Sequence, residues 1–196
     1  HQKIVFNGNG YAPEWEEEAK RRGLPILPSM VDAIPALTTE KAVELFETFH
    51  VFTKAELESR VEIQYEIYAK AINIEAKTML DIVTKQIIPA VIKYTTVLAQ
   101  SINAVRAAAA VDVGVQTSLL EKCSSRLSET DKAMGVLADA VAHIGDYPEG
   151  RERAVYCREK VVKAMEELRK PVDELEMLVD KEMWPMPSYG DLIFEV

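Results

Sequence analysis

A long run of apolar residues with helical spacing limits the fold of this chain more than any other feature. Between residues 57 and 105, apolar side chains recur every three or four positions over about fifty residues, which is the period of one helix face. Thr53 and Glu56 form a capping-box pattern just before the run, so we expect the helix to begin there. Pro89 lies inside the run and lacks a backbone donor, which predicts a kink just before it.

Two more apolar stripes with the same spacing follow. The first helix is expected to break near Asp112–Gly114, and the next stripe covers residues 115–144. The third stripe covers residues 154–183 and contains Pro171, which predicts a second kink. Helices joined by short turns bury such stripes by packing antiparallel. We therefore predict an all-α fold: an antiparallel bundle of long, proline-kinked helices with short extended segments at both termini.

The sequence before the long helix predicts shorter elements. Residues 3–6 favour a short strand, followed by a Gly/Asn turn. Pro13–Gly23 has proline and acidic residues first, basic residues last and a closing glycine, which predicts a short helix. Thr38 or Thr39 is expected to cap another short helix that ends at about His50.

The C-terminal tail differs in composition from the helices. Pro185 and Pro187 are expected to stop the last helix, and Gly190 permits a turn. Residues 191–196 then predict a strand whose apolar face consists of Leu192, Phe194 and Val196. Such a strand has two possible partners, the strand at residues 3–6 or the bundle itself. The sequence thus divides into a connector region (1–52), a helical bundle (53–183) and an aromatic tail (184–196).

Composition excludes several classes of protein. The 196 residues are 48% hydrophobic, which is enough for a core, and the net charge is −9. An acidic surface disfavours nucleic acid and anionic lipid, and no apolar run approaches the ~20 residues of a membrane span. The first ten residues do not match a signal peptide. Cys123 and Cys157 lie in helical stripes and predict buried thiols. We expect a cytoplasmic protein that binds neither nucleic acid nor membrane.

The polar residues predict no active site. Glu47 with His50, and Asp139 with His143, have helical metal-ligand spacing, but a carboxylate-bridged metal centre needs more ligands than either pair offers. The "NGNGY" loop lacks the spacing of a phosphate-binding loop. A ladder of carboxylates is expected to be a solvated face or to meet basic residues: Glu58, Glu62 and Glu66. We predict no catalytic, cofactor-binding or metal residue in this chain.

Three stretches resemble the C-terminal part of type III glutamine synthetases. They are residues 6–24 ("FNGNGYAPEWEEEAKRRGL"), residues 56–94 ("ELESRVEIQYEIYAKAINIEAKTMLDIVTKQIIPAVIKY") and residues 183–196 ("MWPMPSYGDLIFEV"). The resemblance implies a helical domain without the catalytic part, which lies upstream in the family. It also implies that the full-length enzyme joins glutamate and ammonia using ATP and Mg²⁺ or Mn²⁺, in stacked rings of identical subunits.

The resemblance leads to expectations about partners. The domain is expected to contact its own catalytic domain and neighbouring subunits of a ring-shaped homo-oligomer. Aromatic residues near both ends are the predicted contact residues: Phe6, Tyr11, Trp184, Tyr189 and Phe194. Two alternatives stay open, a freestanding helical-bundle interaction module that binds a partner helix and a carboxylate-bridged metal enzyme.

Overall fold

A computed structural model describes residues 5–194 of the chain, which form two compact units. The first unit is His1–Tyr65 and the second is Glu66–Val196. The predicted strand at residues 3–6 lies largely outside the described residues, while Val5 and Phe6 have irregular backbone. The division into connector, bundle and tail stays a prediction.

Short helices make up most of the first unit. They are α1 (Pro13–Arg21), α2 (Met30–Ala33), a 3-10 turn (Ile34–Thr38) and α3 (Glu40–Thr48), and α4 (Lys54–Ile82) begins in this unit.

Local capping explains where these helices start and stop. Gly23 has a φ of 72° and closes α1, as predicted, because glycine adopts the left-handed region without steric cost. The Thr39 hydroxyl accepts a hydrogen bond from the Ala42 amide at 3.4 Å and caps α3. Thr53 and Glu56 form the predicted capping box, in which the Thr53 amide donates to the Glu56 carboxylate at 2.7 Å.

The second unit contains the longest helices and the core. Its further helices are α5 (Ile88–Ala108), α6 (Gly114–Ala142), α7 (Arg151–Tyr156), α8 (Lys163–Glu176) and α9 (Tyr189–Phe194). A π-helical turn (Val83–Ile87) precedes α5, a 3-10 turn (His143–Asp146) follows α6, and a second π-helical turn (Cys157–Val162) precedes α8. Helix α6 packs on α5 and on α8. The described residues contain helices and no strand, which confirms the all-α prediction.

The core of the second unit consists of residues from the three predicted stripes. Fully buried members include Ala76, Val91, Cys123, Leu137, Cys157, Val161, Leu168 and Leu175. Thr130 is buried among them, and its hydroxyl donates a hydrogen bond to the Arg126 carbonyl at 2.8 Å. Both cysteines are therefore buried free thiols, as predicted, and burial raises the pKa of each.

The backbone around Pro89 deviates from an α-helix where a kink was predicted. The deviation is the π-helical turn, and Pro89 follows it in the first turn of α5, where a missing backbone donor costs least. Pro171 lies inside α8 and is buried. The kink angles and the antiparallel arrangement of the helices stay predictions.

The helical segment Lys54–Ala108 contains a window of 18 residues with a mean hydropathy of 1.2. By length and composition alone such a helix is able to cross a membrane, and 28% of the window is buried. A core helix passes the same test, and α5 supplies Val91, Leu98 and Ile102 to the buried residues. The expectation of no membrane partner stays a prediction.

The predicted strand in the tail is wrong over its described residues, 191–194. Helix α8 ends at Glu176, earlier than the apolar stripe suggested, and residues 189–194 form α9. The physical reason is a second capping box. The Ser188 amide donates to the Asp191 carboxylate at 2.7 Å, and the Asp191 amide donates to the Ser188 hydroxyl at 3.3 Å. The described part of the tail therefore cannot pair with residues 3–6 as a strand.

Candidate interaction surfaces

The two predicted contact residues near the N-terminus differ in environment. Phe6 packs against Trp15, with ring centroids 4.8 Å apart and an interplanar angle of 42°. This geometry is favourable for aromatic pairs, so Phe6 is largely occupied inside its own unit. Tyr11 is 100% exposed, and only its backbone is fixed, by a hydrogen bond of 3.0 Å from its amide to the Asn9 side chain.

Trp184 anchors the tail. Its indole is half-buried and packs against the core cluster of the second unit. Its Nε1–H is buried and has no hydrogen-bond partner among residues 5–194. An unpaired buried donor costs about 1–3 kcal/mol, so the packing of this ring must outweigh that cost. The structure therefore places Trp184 as an internal anchor.

The other two predicted contact residues lie on an exposed face of α9. Tyr189 is 86% exposed and Phe194 is 80% exposed, and the intervening Leu192 and Ile193 are exposed as well. Single exposed apolar residues are ordinary, but four within one short helix form an apolar surface. This α9 face is the largest concentration of exposed apolar side chains in the described tail.

Asp191 fixes the position of α9. Its carboxylate accepts hydrogen bonds from the Lys181 ammonium at 2.9 Å and from the Ser188 amide and hydroxyl at 2.7 Å each. The Lys181 contact first, and then the Ser188 contacts, lower the pKa of Asp191 to about 2. These hydrogen bonds tie α9 to the residues just before it.

An apolar groove lies beside this tail within the second unit. Its volume is about 550 Å³. The walls come from the end of α4 and its π-helical turn, from α8, and from the tail. Most lining residues are apolar (Met79, Ile82, Val83, Ile87, Leu168, Val172, Trp184, Met186, Pro187 and Tyr189), and three are charged (Arg169, Asp173 and Glu176). The groove and the α9 face share Tyr189.

The candidate metal ligands do not assemble into a site. Glu47 accepts a hydrogen bond from the Lys54 amide at 3.1 Å, and His50 is exposed with a φ of 51°. The Nδ1–H of His143 donates to the Asp139 carbonyl at 2.8 Å, which raises the pKa of the imidazole. Within residues 5–194, no three His, Cys, Asp or Glu side chains are grouped closely enough to hold a metal ion.

The carboxylate ladder meets lysines of its own helix. Glu66 forms an ion pair with Lys70, whose hydrogen bond lowers the pKa of the carboxyl group. Glu58 lies 3.8 Å from the Lys54 ammonium. Exposed ion pairs of this kind contribute little to stability, because water screens them. They relieve the repulsion within the ladder and need no basic partner on another chain.

The corner between α3 and α4 carries an exposed apolar surface that the sequence analysis did not predict. Leu45 is 54% exposed, Phe49 is 69% exposed and Val51 is 53% exposed. Leu45 and Phe49 are four residues apart on one face of a helix, a signal that was present in the sequence. The spacing alone did not indicate an exposed surface, because the same spacing normally indicates a buried face. We call Leu45, Phe49 and Val51 the corner ridge.

The backbone of the corner ridge is fixed by a helix-stop motif. His50 has a left-handed conformation, the Val51 amide donates to the Phe46 carbonyl at 2.9 Å, and the His50 amide donates to the Glu47 carbonyl at 3.0 Å. These are the two hydrogen bonds of a Schellman motif. The following capping box at Thr53 then starts α4, so both sides of the corner are hydrogen-bonded.

The described residues form a helical domain with exposed apolar side chains at the α3–α4 corner and on α9. The family model described as "Glutamine synthetase C-terminal domain" matches residues 1–106, more than half of the chain, and the chain belongs to this family.

Three similar proteins are named glutamine synthetases. The chain is 33% identical to the "Type-3 glutamine synthetase" of Dictyostelium discoideum over 99% of its length. It is 35% identical to a "Glutamine synthetase" of Butyrivibrio fibrisolvens over 100% of its length, and 27% identical to one of Bacteroides fragilis over 98%. The chain spans 27% to 28% of the length of these relatives.

Proposed function

We propose that this chain serves as the non-catalytic C-terminal domain of a type III glutamine synthetase. The full-length enzyme would make glutamine from glutamate, ammonia and ATP in the cytoplasm. Family membership supports this proposal, as does the match of nearly the whole chain to about a quarter of each relative. The catalytic part, with its ATP and Mg²⁺ or Mn²⁺, would lie in the remaining sequence, and we assign no residue of this chain to it.

The role of the domain would be to support the catalytic domain or the assembly of subunits into a ring-shaped homo-oligomer. The observation that carries this role is the α9 face, which holds Tyr189 and Phe194 in contact with water. Large aromatic residues are enriched at the energetic centres of protein interfaces. Because Asp191 and Trp184 fix the tail, little conformational entropy remains to be lost when a partner covers this face.

The decisive comparison uses the full-length enzyme with the substitutions Tyr189→Ala and Phe194→Ala together. This variant keeps Trp184 and the Ser188–Asp191 capping box, so the tail should stay anchored. We expect at least a tenfold loss in the association constant of the subunits, measured by analytical ultracentrifugation, or a comparable fall in the rate of glutamine synthesis.

A matched control is Met177→Ala, which truncates another exposed apolar side chain outside α9. It should leave assembly and activity unchanged. A truncation after Met183 tests the whole tail in the same assays. If both the double variant and the truncation assemble and react like the parent, the proposed role of the tail is refuted.

Two other functions are distinguished by simple observations. A freestanding interaction module would be encoded without a catalytic domain in the same reading frame. A carboxylate-bridged metal enzyme would hold stoichiometric iron, manganese or zinc after purification, which elemental analysis detects.

A further inference from the structure

We infer that the corner ridge, formed by Leu45, Phe49 and Val51, docks on the remaining part of the same polypeptide in the longer enzyme. This inference rests on the proposed function, because it requires that such a remainder exists. It names a second contact surface in the first unit, separate in sequence from the α9 face.

Helix α3 has two apolar faces with different surroundings. Phe46 faces inward and packs against Phe52, with ring centroids 5.6 Å apart. The guanidinium of Arg60 lies 4.1 Å from the centroid of the Phe52 ring and covers it. Around the helix, Leu45 lies about 100° and Phe49 about 60° from Phe46, on the same side, and both remain exposed. Phe46 therefore has an aromatic contact inside the first unit, whereas Leu45 and Phe49 are left exposed.

The first unit buries few apolar side chains, so leaving the corner ridge exposed costs it stability. In the described part of this unit the buried apolar residues are few: Ala19, Val31, Ile34, Leu57, Val61 and Tyr65. Helix α3 contributes no buried residue, and the core cluster consists of residues from the second unit. A unit of about 60 residues is marginal even with a full core. Covering the corner ridge would supply the apolar burial that α3 lacks.

The size of the corner ridge indicates which partner covers it. A stable interface between separate molecules buries about 800 Å² per partner and involves roughly 20–30 residues on each side. Three side chains fall far short of that. A segment of the same polypeptide needs much less area, because a covalent link gives effective concentrations in the millimolar range. The relatives are long enough to provide that segment, since this chain spans only 27% to 28% of them.

The fixed backbone of the corner ridge agrees with a docking role. The Schellman motif and the capping box hold the three side chains before a partner arrives. Preorganised apolar side chains lose little entropy on binding, which makes a small contact effective.

Hydroxyl-radical footprinting of the full-length enzyme tests the inference. The oxidation rates of Leu45 and Phe49 are measured in the native enzyme and in the same protein unfolded in urea. We expect both rates to be at least tenfold lower in the native enzyme, which is far more protection than a 69% exposed side chain would show. The protection should be identical in assembled enzyme and in subunits dissociated by dilution.

A substitution sharpens the test. Phe49→Glu should raise the oxidation rate of Leu45 in the native enzyme at least threefold, because one anchor of the contact is lost. The matched control is Val136→Glu on α6, where a side chain that is 61% exposed receives the same charge. It should leave the oxidation rate of Leu45 unchanged.

Two results would overturn the inference. Fast oxidation of Leu45 and Phe49 in the native full-length enzyme would show that nothing covers the corner ridge. Protection that disappears on dilution would assign the cover to a second copy of the chain. Fast oxidation in the native enzyme would refute the inference whatever effect the α9 substitutions have on assembly or activity, so failure here is distinguishable from failure of the proposed function.

Discussion

Leu137→Ala is the substitution that tests the packing of the second unit most directly. Leu137 is fully buried in the core cluster and belongs to α6, the helix that packs on both α5 and α8. The change removes three methylene-sized groups at about 0.8 kcal/mol each, or about 2.4 kcal/mol of transfer free energy. The cavity left behind adds about 1 kcal/mol, so the free energy of unfolding should fall by roughly 3–4 kcal/mol.

The assay is urea unfolding followed by far-UV circular dichroism, with thermal unfolding as a second measurement. A loss of that size corresponds to a fall in Tm of roughly 6–16 °C for a protein of this length. The neighbouring Val136 supplies the control, because it is 61% exposed on the same helix. Val136→Ala should change the free energy of unfolding by less than about 0.5 kcal/mol. Equal effects of the two substitutions, or a loss below about 1 kcal/mol for Leu137→Ala, would refute the described burial of α6.

Two further predictions concern the capping boxes. Thr53→Ala removes the hydroxyl that accepts a hydrogen bond from the Glu56 amide. The first turn of α4 should therefore lose about 1 kcal/mol of stability. Amide hydrogen exchange in this turn should accelerate about fivefold in Thr53→Ala. Thr53→Ser should restore the protection. An unchanged exchange rate in Thr53→Ala would contradict the cap. Asp191 should titrate with a pKa of about 2, because the Lys181 and Ser188 hydrogen bonds favour its carboxylate. Its folded pKa is below its unfolded value, so the stabilisation of α9 is full above about pH 4 and is lost as pH falls towards 2. Carboxyl chemical shifts measured by NMR give the midpoint, and a value near 4 would contradict these contacts.

The helices were predictable because their signals are local and repeated. Thr53 and Glu56 identified the start of α4 from four residues of sequence, and Gly23 identified the end of α1. The stripes identified the buried faces because burial selects apolar residues at the helical period. Asp112 near the predicted break accepts a hydrogen bond from the Gly114 amide at 3.0 Å, just before α6 begins.

The tail and the corner could not be judged from periodicity alone. Leu192 and Phe194 alternate like a strand, but Ser188 and Asp191 satisfy the free donors of a helix start, and this local hydrogen bonding decides the conformation. Ser188 and Asp191 carry the same capping-box pattern as Thr53 and Glu56. For Phe49 the spacing was visible, but spacing does not distinguish a face buried in its own unit from one left for a partner.

The π-helical turn before Pro89 has a consequence for the heptad register of the core. Within the core cluster, Ala69, Ala76 and Val83 are seven residues apart, whereas Val83 and the fully buried Val91 are eight apart. Leu98 then resumes the interval of seven. The wider turn absorbs the extra residue, which would otherwise rotate every later side chain by about 100°. The turn is therefore a site where the chain can lose one residue and still keep both ends of the helix in phase with the core.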